Sequence, residues 1–115
     1  LSGNPLAMTG GYYTLKTLRD QPELYSHLHQ ITSQLREELQ KLGSETGVPL
    51  QVNQFGSMLC AFFQENLPRN FEEVKRSNTD QFKAYFWGLI DDGVWIPPSQ
   101  FEAWFLYGLR SGGFY

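Results

Sequence analysis

Few residues in this chain carry chemistry by their type and spacing. The most pointed is Glu102, in the run Pro97-Pro98-Ser99-Gln100-Phe101-Glu102-Ala103-Trp104-Phe105. Two prolines stiffen the approach, and the carboxylate falls between aromatics just ahead of an apolar stretch. A carboxylate held at such a corner is a candidate ligand-facing group, with an acid that merely satisfies a turn as the alternative. The second polar corner is Ser2-Gly3-Asn4, directly before Pro5. Asn4 suits a helix N-cap and Pro5 a first helical position. Backbone N–H groups at a helix start also attract anions, although capping alone explains these residues.

The other reactive types offer less. Cys60 lies in the apolar run Met58-Leu59-Cys60-Ala61-Phe62-Phe63 and reads as a structural thiol rather than a reactive one. His27 and His29 stand two apart on a helical pattern, so they point in different directions and read as surface residues. With two His and one Cys, none at ligand spacing, no zinc site is expected. Neither standard Gly-rich phosphate loop is present.

The elements that must position these corners follow from periodicity. Leu6, Met8, Tyr12, Leu15 and Leu18 recur at helical spacing and predict a helix over 5–19. Gly10-Gly11 weakens it by about 1 kcal/mol per residue relative to Ala. Leu24, Leu28, Ile31, Leu35, Leu39 and Leu42 form the stripe of a second amphipathic helix, which Gly43 is expected to end. From Val48 the pattern turns to strand, with Leu50 and Val52 alternating against Gln51 and Asn53. After the break at Gly56-Ser57, the run 58–63 reads as a strand buried on both faces. Asn70 is placed to cap a helical turn over 71–76. Ser77-Asn78-Thr79-Asp80 starts a helix over 79–92 with Phe82, Phe86, Leu89 and Ile90 on one stripe. Val94-Trp95-Ile96 and Ala103 to Leu109 are expected to be strands, and 110–115 a tail. The order α, α, β, β, α, β, β predicts an α+β fold: a small antiparallel sheet covered by helices on one face.

Composition sets bounds on all of this. The chain has 115 residues, 41% hydrophobic and 18% charged, as expected for one soluble domain. At this size a compact fold buries roughly two thirds of its unfolded surface. A net charge of −3 with nine scattered Lys and Arg gives no footprint for nucleic acid. No apolar run approaches the roughly 18 residues of a membrane span. One unpaired cysteine fits a reducing, cytoplasmic compartment.

Three stretches then carry a resemblance. LSGNPLAM at 1–8, NFEEVKRSNTDQFKAYFWGLIDDGVW at 70–95 and IPPSQFEA at 96–103 resemble the C-terminal portion of the glutamate-1-semialdehyde 2,1-aminomutase family. Its members are pyridoxal-phosphate (PLP) enzymes of the class III aminotransferase group, with the aspartate-aminotransferase fold (fold type I). VNQFGSMLCAFF at 52–63 resembles the family's strand pair. The resemblance implies a single domain over 1–115, made of an opening helix (1–19), an α/β sandwich (20–109) and the tail. It further implies an enzyme converting glutamate-1-semialdehyde to 5-aminolevulinate, the tetrapyrrole precursor, with PLP as electron sink. The Schiff-base lysine lies upstream of the SGNP motif in family proteins. Lys16, Lys41, Lys75 and Lys83 match no family lysine motif, so the chain reads as a fragment without the large PLP-binding domain, and no cofactor is expected on it alone. Glu102 matches the family's substrate-facing glutamate. Ser2, Gly3 and Asn4 match the segment just after a threonine that reaches the PLP phosphate of a neighbouring subunit. Trp104 stands where the family has a small residue and is expected to crowd the substrate side. Trp95, Trp104, Phe105 and Tyr107 are expected to be exposed, favouring a homo-oligomer. The alternative function is a stand-alone, non-catalytic binding or oligomerisation module.

Overall fold

Asn4 acts as the cap its position suggests: its Oδ1 accepts from the Leu6 N–H at 3.0 Å and the Ala7 N–H at 3.2 Å. In the computed structural model, which describes residues 3–107, it starts α1, Pro5–Asp20. No residue of α1 is buried. Leu6, Met8, Tyr12 and Leu15, the stripe that should meet a core, are all exposed.

The second helix, α2, spans Glu23–Thr46 and so runs past Gly43, contrary to the sequence reading. It ends at Gly47, whose φ of +69° is the left-handed conformation that glycine adopts without strain. Gly43 has a different purpose. A Cβ there would lie 2.9 Å from the Leu50 Cβ and 3.1 Å from the Val48 carbonyl, so its missing side chain lets the following segment close against the helix. The buried positions of α2 are Thr32, Leu39 and Gly43. Leu42, assigned to the stripe, is 53% exposed. The core-facing line therefore includes two residues that are not large hydrophobes. Thr32 tolerates complete burial because its hydroxyl donates to the Leu28 carbonyl at 2.7 Å.

Strands β1 (Gln51–Phe55) and β2 (Met58–Phe62) form a hairpin closed by Gly56-Ser57, with Gly56 at φ +59°. The register pairs Val52 with Ala61 and Phe55 with Met58. After α3 (Phe71–Val74) and α4 (Thr79–Asp91), a two-residue β3 (Trp104–Phe105) pairs antiparallel with β2, giving the sheet order β1-β2-β3.

The expected architecture holds: α+β, with an antiparallel sheet covered on one face. Cross-strand partners share a face, so the register places Val52, Leu59, Ala61 and Trp104 together. Leu35 and Leu39 of α2 and Tyr85 of α4 pack on that set. Phe63, just past β2, meets the rings of Phe82 and Tyr85 at 6.4 and 5.6 Å. On the opposite face Phe55 and Phe105 are exposed, Met58 and Cys60 are half-buried and Phe62 is buried.

Two strand expectations fail. Val94-Trp95-Ile96 is irregular: Trp95 is 85% exposed, and Ile96 packs against the core as a side chain without joining a ladder. β-branched and aromatic residues favour strands only in a paired, packed setting, and residues 94–96 pair with no strand of the sheet. The strand over 103–109 shrinks to Trp104–Phe105 among the described residues; Gly108, Leu109 and the tail 110–115 lie outside them.

Candidate functional site

The Pro97–Ala103 corner is built around a buried amide. Gln100 is 3% exposed, and its Nε2 donates to the Ala61 carbonyl at 2.6 Å. Ladder pairing between β2 and β3 covers only Met58–Phe105 and Leu59–Trp104. Two residues further along β2, the Ala61 carbonyl has no strand partner on that side among the described residues, and the Gln100 side chain takes the place of a backbone N–H. The turn itself is held by the Ser99 hydroxyl, which accepts from the Phe101 N–H at 3.2 Å, and by the Ser99 carbonyl, which accepts from the Glu102 N–H at 3.2 Å. The Phe101 ring lies 5.9 Å from that of Phe71. Cys60 completes the corner from beneath: its thiol contacts the Glu102 carbonyl at 3.5 Å and the Gln100 carbonyl at 3.8 Å. Burial pushes the Cys60 thiol up to about 11, so the proton stays on sulfur at neutral pH, in keeping with a structural rather than a reactive cysteine.

Glu102 emerges from this corner exposed, and no hydrogen bond or ion pair reaches its carboxylate among the described residues. A turn-satisfying acid would show such a bond. Beside the corner, on the sheet face opposite α2, lies a shallow hollow of about 180 Å³ lined by Asn53, Phe55, Met58, Cys60, Phe62 and Ala103.

Trp104 corrects two expectations. It is 6% exposed, on the covered face, with its ring stacked on Tyr85 at 6.3 Å and an interplanar angle of 14°. It is therefore neither part of an exposed aromatic surface nor a wall on the Glu102 side. Trp95, Phe105 and Tyr107 are exposed as expected.

At the other corner, Gly3 has φ +83° and Asn4 caps α1; Ser2 lies outside the described residues. Asn4 Oδ1 takes the amides of Leu6 and Ala7, its carbonyl takes that of Met8 at 2.9 Å, and Pro5 has none. No first-turn amide of α1 is left over for an anion. No hydrogen bond, ion pair or ring contact joins this cap to the Glu102 corner among the described residues.

The four lysines lie on helix surfaces. Lys16, Lys41 and Lys75 pair with Asp20, Glu45 and Glu72 at 2.7, 3.7 and 2.6 Å. Lys83 lines a groove of about 360 Å³ with Phe82, Phe86, Trp87 and Phe101. His27 and His29 are exposed on α2. Among the described residues no cluster of three His, Cys, Asp or Glu is arranged to hold a metal, and no helix is long and apolar enough to cross a membrane. Sequence reasoning missed the clamp made by Gln100. Nothing in its type or spacing marks it, because its partner is the carbonyl of a residue 39 positions earlier.

Comparison with known proteins agrees with the resemblance. No protein-family model matches the chain. Curated relatives do: the chain is 43% identical over 106 residues to glutamate-1-semialdehyde 2,1-aminomutase of Thermus thermophilus. It is 44% identical over 106 residues to glutamate-1-semialdehyde 2,1-aminomutase 2 of Brevibacillus brevis, and 39% over 106 residues to the aminomutase of Ruminiclostridium cellulolyticum. Each match covers 92% of this chain but only 24–25% of the relative, so the chain spans about a quarter of the length of the curated relatives it matches. Similarity at this level along nearly the whole chain gives no support to the alternative of a separate binding module. The chain is a relative of the glutamate-1-semialdehyde 2,1-aminomutases, matching a quarter of their length as their C-terminal domain would.

Proposed function

We propose that this chain is the substrate-facing C-terminal domain of a PLP-dependent aminomutase that converts glutamate-1-semialdehyde to 5-aminolevulinate, with Glu102 as the carboxylate that receives the substrate's ammonium group. The observation that carries the reading is Glu102 itself: a carboxylate unpartnered among the described residues, held by its backbone at a braced corner, in a chain 43% identical over 106 residues to an enzyme of that name. A charge-assisted hydrogen bond from an ammonium to such a group is worth about 1.5–3 kcal/mol. In an enclosed site it gains further from the lower dielectric.

The chain's own lysines do not fit a Schiff-base role. Three are paired on helix surfaces, and among the described residues the groove that Lys83 lines holds no carboxylate to face a pyridine nitrogen. No step of the reaction is therefore assigned to them. Ser2, Gly3 and Asn4 belong to the same reading as neighbours of a phosphate-contacting position. Because the Asn4 side chain and the first-turn amides are already engaged, that role falls to the backbone before Pro5. A homo-oligomeric state and a cytoplasmic location are part of the proposal; the first is supported by exposed Trp95, Phe105 and Tyr107.

The test uses an aminomutase holoenzyme in which this segment stands for the corresponding quarter of the Thermus thermophilus relative. Formation of 5-aminolevulinate, with a loss on Glu102→Gln, supports the reading. A folded, cofactor-loaded holoenzyme indifferent to Glu102→Gln overturns it.

A further inference from the structure

Glu102 makes no side-chain bond of its own among the described residues, so its place is set by its backbone. The Ser99 carbonyl holds that backbone within the turn, and the Gln100 and Cys60 side chains tie the turn to β2. Continuing the β2–β3 register beyond Leu59–Trp104 would place Glu102 opposite Ala61, on the helix-covered face. The chain instead leaves the ladder before Trp104. The Gln100 amide occupies the Ala61 carbonyl at 2.6 Å, which denies that carbonyl to a longer β3 and turns residue 102 out to solvent. Gln100 is 3% exposed and its Oε1 has no partner among the described residues, so the amide is anchored through this one bond. The Cys60 thiol, protonated because burial raises it, ties the Glu102 carbonyl at 3.5 Å.

We propose that Gln100, with Cys60 in support, is a positioning residue: the Gln100–Ala61 bond ends β3 early and thereby aims the Glu102 carboxylate at the substrate's ammonium group. The inference rests on the reading of Glu102 as the substrate-facing acid. It goes beyond that reading by assigning the specificity of the corner to a buried amide that touches no substrate.

The experiment is a double-mutant cycle in the holoenzyme described above. Gln100→Met keeps the volume and removes the donor. It is expected to raise KM by about tenfold with kcat little changed, because displacement of a binding group weakens ground-state and transition-state contacts alike. In a Glu102→Gln background the same substitution is expected to have no further effect. Cys60→Ala should give a smaller rise than Gln100→Met, and Cys60→Ser, which keeps a donor, should restore KM. A Gln100→Met effect that persists undiminished in the Glu102→Gln background shows general damage and overturns the proposal. A null result for Glu102→Gln alone overturns the functional reading instead. The 115-residue chain supplies a measurement independent of activity. Gln100→Met should shift the Glu102 amide resonance and speed its exchange while α2 and β1 signals stay in place. An unmoved Glu102 amide overturns the clamp.

Discussion

The Cys60 thiol gives the corner a pH signature at the scale of single residues. Burial raises its pKa from 9.0 to about 11, and burial also raises that of Tyr85. Between these values the unfolded chain releases the thiol proton while the folded chain keeps it. Stability is therefore fully present below pH 9 and is lost as the pH rises toward 11. Denaturant melts at pH 8 and pH 10.5 should show this loss. Cys60→Ala should remove part of it and leave the part due to Tyr85, whereas equal losses in both proteins would contradict the assignment. The same burial predicts slow alkylation of Cys60 at pH 8.

Among the elements, two glycines in helices have opposite meanings. Gly43→Ala drives a methyl to within 2.9 Å of the Leu50 side chain and 3.1 Å of the Val48 carbonyl. It should destabilise the chain by about 1–3 kcal/mol despite the better helix propensity of Ala. Gly10→Ala meets nothing within 4 Å and should instead increase the helicity of α1, by about 1 kcal/mol of local stability. Circular dichroism and thermal melts distinguish the two. The contrast also shows what the sequence made legible. The α1 start, α3 and α4 were readable because their caps are local: Asn70 accepts from the Glu73 N–H at 3.0 Å, and Asn78 from Asp80 and Gln81 at 3.1 and 3.0 Å. The hairpin was readable from alternation around Gly56. Gly43 as a helix end was misread because its bare backbone is used to pack Leu50 and Val48 against the helix, while the left-handed Gly47 makes the actual end. Val94–Ile96 as a strand was misread because strand-type residues form a ladder only with a partner strand. Trp104 as an exposed ring was misread because its burial is decided by Tyr85, on another element. Glu102 was legible as a corner carboxylate, but its clamp was not, since no local pattern announces the Ala61 carbonyl.

At the scale of the whole molecule, the chain is more extended than its length predicts. Its radius of gyration is 17.2 Å, against about 13 Å for a compact domain of this size. The cause is α1, which buries no residue and leaves Leu6, Met8, Tyr12 and Leu15 in solvent. These residues, and separately Phe55 and Phe105 on the sheet, are exposed apolar side chains of the kind that drive association. Sedimentation of the 115-residue chain is expected to show a homo-oligomer that Phe105→Glu shifts toward monomer. A monomer at high concentration would contradict this.

The central claim is that Glu102 receives the substrate's ammonium group, and the steady-state kinetics of Glu102→Gln in the holoenzyme test it most directly. Loss of one charge-assisted hydrogen bond of about 1.5–3 kcal/mol predicts a fall in kcat/KM of about 10- to 100-fold, mostly through KM, with Glu102→Asp intermediate. An unchanged KM in a folded, cofactor-loaded enzyme would contradict the account.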